Sequence, residues 1–117
     1  MPLTIQTRNV EPDIVVLHLS GRIGMGRSCE DLEAAIQELI QQNVSKVVLN
    51  LADVQRVDST GFGTLVTSSQ KMKRAGGELR VVGAHGVVEE IAHSSQIPKI
   101  VPFHATLADA VEAFRAA

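Results

Sequence analysis

The sequence predicts a single α/β domain over residues 1–117, with elements in the order ββαβαβαβα. The sheet is expected to be mixed, its later strands parallel and sequential, with helices mainly on one face. Three observations lead there. Short apolar runs rich in Val and Ile alternate with segments whose apolar residues recur every three to four positions. Strands that alternate with helices pair in parallel through right-handed crossovers. Polar residues also punctuate the strands on one side: His18 opposes Val15, Leu17 and Leu19, and Asn50 and Arg80 oppose the apolar sets of their own strands. A sheet buried on both faces would read as unbroken apolar runs, so one face is expected to stay partly solvated.

Leu3 to Val10 alternates apolar and polar residues, as an edge strand with one wet face would. Glu11-Pro12-Asp13 makes a turn, and Ile14 to Leu19 forms a second strand in a hairpin with the first. Ser20 to Arg27 is rich in glycine and is expected to be a loop leading to Ser28, the N-cap of the first helix. In that helix Leu32, Ala35, Ile36, Leu39 and Ile40 form one apolar stripe, and Asn43 stops it. The run from Lys46 through Val47, Val48 and Leu49 is a central strand, followed by a polar turn holding Asp53 and Asp58. Asp58-Ser59-Thr60 has the chemistry of a helix N-terminus, since each side chain can accept from the free N–H groups of a first turn. The second helix buries Phe62, Leu65, Val66 and Ser69 and carries Lys71, Lys73 and Arg74 in its last turns, where positive charge complements the helix dipole. Gly76-Gly77 ends it. Glu78 to Gly83 is the fourth strand; Val87, Val88, Ile91 and Ala92 mark a short third helix; a last strand is expected at Ile100 to Phe103, after Pro98. Thr106 caps a final helix that buries Leu107, Ala110, Val111 and Phe114.

Composition removes several function classes. A net charge of −2 leaves no basic footprint for nucleic acid, and the apolar runs are far shorter than the roughly 20 residues that span a bilayer. With neither a signal pattern nor a membrane segment, the chain is expected to be cytoplasmic. The single Cys29 precludes an internal disulfide, and no His-Glu-x-x-His spacing is present, so neither metal nor cofactor is expected. Three Phe residues and no Trp or Tyr give no platform for stacking bases or sugars.

A Ser-His-Asp triad can be written from Ser59, Asp58 and one of four histidines, yet the Gly-x-Ser-x-Gly elbow is absent and helix capping is the simpler role. Gly24-Met25-Gly26 lacks the Gly-Lys-Ser/Thr ending of a phosphate loop. Gly61 and Gly63 at a helix start each cost about 1 kcal/mol relative to Ala. Either a neighbouring strand packs tightly there or a partner must reach the backbone beside Ser59.

The segment Leu49 to Val54 and Asp58-Ser59-Thr60-Gly61-Phe62-Gly63, with Ser20-Gly21-Arg22-Ile23 before it and Gly76-Gly77-Glu78-Leu79 after it, resembles the bacterial anti-sigma factor antagonists, the STAS domains. The resemblance extends over essentially the whole chain. It implies a regulatory switch and no enzyme. An anti-sigma factor that is a serine kinase would phosphorylate Ser59, with Thr60 as second acceptor; the unmodified protein would bind that kinase and release a sigma factor, and a PP2C-type phosphatase would reset it. Asp53, Asp58, Ser59, Thr60, Gly61, Phe62, Gly63 and Gly24 would form the partner surface of a monomer or weak dimer. Many members carry Asp at the position of Gly24, and Ser is more usual at that of Thr60. A non-switching STAS scaffold or the interaction subunit of a transport complex is the alternative.

Overall fold

A computed structural model describes residues 2–116. Five strands form one sheet in the order β1-β2-β3-β4-β5: β1 (Thr4–Val10), β2 (Ile14–Ile23), β3 (Lys46–Val57), β4 (Glu78–Val82) and β5 (Phe103–His104). β1 pairs antiparallel with β2, and every later neighbour is parallel. The helices are α1 (Arg27–Gln41), α2 (Ser59–Arg74), α3 (Gly86–Ser94) and α4 (Leu107–Ala116), with a 3-10 turn at Ile97–Lys99.

The core is lopsided as the strand patterning predicts. Val15, Leu17 and Leu19 of β2 and Val47, Leu49 and Leu51 of β3 pack under Leu32 and Ile36 of α1, Phe62, Leu65 and Met72 of α2, and Val88 and Ala92 of α3. The opposite face holds a smaller cluster in which Ala110, Val111 and Phe114 of α4 cover Ile14, Val16, Val48 and Val82. His18 and Asn50 lie beyond that cover, beside Gln6 and Arg8 of the edge strand.

Both long helices end as their sequences suggest. Asn43 takes φ 63°, and Val44 N–H donates to the Leu39 carbonyl; Gly76 takes φ 86°, and Gly77 N–H donates to the Met72 carbonyl. These are left-handed caps that satisfy carbonyls left over at a helix end. Thr106 Oγ1 accepts from Asp109 N–H at 3.1 Å, the expected cap of α4.

Four expectations are corrected. The glycine-rich segment is a loop only from Gly24: β2 runs on to Ile23, absorbing register shifts between His18 and Ser20 and between Gly21 and Arg22. The polar turn expected before Asp58 is also strand, since β3 continues through Asp53, Gln55 and Arg56 to Val57. β4 pairs with β3 only as far as Asn50, so this extension has β2 alone as its ladder partner, and its polar side chains meet water. Ser28 is not the cap of α1; Gly26 holds that position without a side-chain bond. The last strand begins at Phe103 because Pro102 has no N–H to donate, although its carbonyl accepts from Val81.

Candidate functional site

The β2–β3 extension delivers two chain segments to one place: the loop from Gly24 to Gly26, and Asp58 at the start of α2. Asp58 ties them together. Its Oδ1 accepts from Gly61 N–H at 2.7 Å, capping α2, and its Oδ2 accepts from Met25 N–H at 3.0 Å. Its own N–H donates to the Ile23 carbonyl at 3.1 Å. The Gly61 amide above all, then the Met25 amide and to a lesser degree that of Thr60, hold the Asp58 carboxyl below the usual carboxylate range; partial desolvation opposes them.

Two glycines make this geometry possible. A Cβ on Gly24 would stand 2.8 Å from Asp58 Oδ2. Any side chain at position 24 would therefore press on the Asp58 carboxylate that bonds Met25. A Cβ on Gly61 would collide with the Ile23 carbonyl and approach Val57 Cγ1 to 2.8 Å, so close packing against strand ends explains this residue. Gly63 differs, because nothing lies within 4 Å of where its Cβ would be. Ser28 staples the loop, its hydroxyl accepting from Gly24 N–H at 2.8 Å and donating to the Gly24 carbonyl at 2.9 Å.

Ser59 is the first residue of α2 and is exposed. Thr60 is exposed beside it, and with Gly63, Thr64 and Thr67 it lines a shallow groove of about 490 Å³ facing Glu30 and Glu33 of α1. Asp58, Ser59, Thr60, Gly63 and Gly24 are thus brought together. Phe62 and Gly61 are buried, so they support the site from beneath instead of lining it. Asp53 is not in a loop with Asp58: four strand residues lie between them, a span on the order of 16 Å, and its Oδ2 pairs with His18 Nε2 at 2.7 Å.

Met25, Arg22, Arg27 and Arg56 escaped sequence reasoning. They border a cleft of about 420 Å³ beside Asp58, and Met25 is 80% exposed. A methionine between two glycines, flanked by arginines, was the available signal. The histidines have other partners: His18 meets Asp53, His85 Nε2 meets the Ala52 carbonyl, His104 Nε2 meets Arg80, and His93 packs edge-on to Phe103. Cys29 is buried, and among the described residues no group of His, Cys, Asp or Glu is placed to hold a metal ion. No helix among them is long and apolar enough to cross a membrane.

Comparison with known proteins agrees with this architecture. A Thermotoga maritima protein given the provisional name of anti-sigma factor antagonist is 23% identical over 103 residues, covering 88% of this chain and 91% of its own. An anti-sigma factor antagonist from Mycobacterium paratuberculosis superposes with a TM-score of 0.84 at 27% identity, covering 97% of this chain and 94% of its own. The Bacillus cell fate determinant SpoIIAA in its phosphorylated form gives a TM-score of 0.71 at 19% identity, covering 95% and 99%. The sequence profile of the STAS domain matches residues 6–110, and the chain belongs to that family.

Proposed function

We propose that the chain is an anti-sigma factor antagonist switched by phosphorylation of Ser59: unmodified, it binds an anti-sigma factor serine kinase and frees a sigma factor, and a PP2C-type phosphatase restores it. One observation carries the reading. The Ser59 hydroxyl is exposed at the first residue of α2, next to a carboxylate already held in place by backbone amides. A solved neighbour in a phosphorylated form, SpoIIAA, supports it by analogy of fold.

Phosphorylation would add about −1.5 to −2 charges there at neutral pH. A helix N-terminus favours negative charge by about 0.3–1 kcal/mol, so the fold tolerates the group. The cost falls on the interface, where a partner suited to a neutral hydroxyl meets a dianion beside ionised Asp58. Leaving such a charge desolvated and unpaired costs several kcal/mol, enough to reduce affinity by orders of magnitude.

The test is incubation with the cognate kinase and ATP, read by mass spectrometry, alongside partner affinities of Ser59→Ala and Ser59→Asp. The expected result is one phosphate on wild type, none on Ser59→Ala, and weakened binding by a still-folded Ser59→Asp. Equal affinity of the two variants sinks the switch, and binding without modification favours the non-switching scaffold.

A further inference from the structure

Beside the Ser59 end of α2, the cleft bordered by Met25 collects three arginines. Arg22 and Arg56 are register partners on adjacent parallel strands whose backbones lie about 4.8 Å apart, so two cationic side chains leave the sheet side by side. Laterally adjacent like charges destabilise a sheet. Arg27 joins them from the start of α1. None of the three forms an ion pair among the described residues. Asp31 and Asp58 also line the cleft, so it holds three guanidinium groups against two carboxylates, one of which is already committed to backbone amides. At the rim stands Met25, its backbone pinned by Asp58 and its side chain almost wholly exposed.

An excess of guanidinium groups over carboxylates, none of them held in an ion pair, on a fixed loop that presents an apolar side chain, suits a protein surface. Arg and Met are enriched at the centres of protein interfaces, and guanidinium forks bind carboxylates two bonds at a time. We propose that Arg22, Arg27 and Arg56 form a docking cleft for a cluster of carboxylates on the partner protein, with Met25 entering an apolar pocket next to it. The cleft thereby selects an acidic partner. This deepens the reading of the chain as an anti-sigma factor antagonist and rests on it for the partner's identity.

The probe is a blocked peptide of alternating Leu and Glu, titrated into the full chain while the Met25 ε-methyl signal is followed by NMR; the same peptide with Gln for Glu is the control. The acidic peptide should shift the methyl signal, the control should not, and the triple variant Arg22→Gln/Arg27→Gln/Arg56→Gln should lose at least about tenfold in affinity. Because the arginines repel one another, Arg22→Gln and Arg56→Gln singly should keep or raise the melting temperature, which guards against reading a folding defect as lost binding. A silent methyl signal, equal binding of the control, full binding by the triple variant, or a melting temperature lowered by the single substitutions overturns the proposal. So does tighter binding of inorganic phosphate or ATP than of the acidic peptide, which would make the cleft a small-anion site. The titration needs no kinase: a Ser59 that stays unmodified with kinase and ATP removes the switch and leaves the cleft, whereas a phosphorylated Ser59 with a silent titration removes only the cleft.

Discussion

Asp58 joins segments more than thirty residues apart, and its ionised form does the joining, since both oxygens accept from N–H groups. An amide in its place turns one oxygen into a donor facing the Met25 N–H. Asp58→Asn should therefore lower the melting temperature at neutral pH and loosen the Gly24–Met25 loop. The sign of the pH dependence follows from the depressed carboxyl pKa. The stabilisation is fully present above the unfolded value of about 3.9 and is lost as pH falls through the lower folded value. Melting curves of wild type and variant should run a constant distance apart from neutral pH to about pH 5, then converge below about pH 4. A gap unchanged down to pH 2 would contradict the charge-dependent clamp. The capping role of Asp58 was legible in the sequence because an Asx residue before a helix-period segment needs only local geometry. Its hold on Met25 was not, since that depends on where two strands end in space.

The same distinction applies to whole elements. α1 and α2 were readable from period alone, and their stops from Asn43 and Gly76. The C-terminal halves of β2 and β3 were missed because Asp53, Gln55 and Arg56 look like a turn, and a two-stranded ribbon with wet faces carries no long apolar run. That ribbon is held down through Val54 and Val57, which belong to the main core, and by Gly61 against its end. The two glycines of α2 should accordingly respond in opposite directions. Gly61→Ala forces a methyl into the Ile23 carbonyl and Val57, an overpacking expected to cost on the order of 1–3 kcal/mol. Gly63→Ala meets open space and gains helix propensity, stabilising the isolated domain by up to about 1 kcal/mol. Urea unfolding measures both. If Gly63→Ala also weakens binding of the proposed kinase partner while raising stability, the open strip beside Ser59 is where that partner approaches the helix backbone; destabilisation by Gly63→Ala would show that α2 needs its glycine for the fold itself.

For the molecule as a whole, the two faces of the sheet differ in how firmly they are closed. The α1–α2–α3 side holds the larger core and the site rests on it, while α4 alone closes the other side. Phe114 is the central contact of α4: it is buried, and the Arg80 guanidinium lies 5.0 Å from its ring centroid. Arg80 is fixed in turn by Glu78 and His104. Elements with fewer buried apolar contacts open at lower free energy than the global transition. Native-state hydrogen exchange should thus give α4 amides a smaller opening free energy than those of Val47 to Leu51. Phe114→Ala should lower the α4 value by about 3–5 kcal/mol, the usual cost of emptying an aromatic site. If Ser59 is phosphorylated as proposed, its modification should be unchanged in that variant, because its supports, Asp58, Gly61 and the ends of β2 and β3, lie away from the α4 cluster. Exchange of α4 at the same free energy as the central strand would mean that the two cores unfold as one unit, and damage at Phe114 would then reach the site.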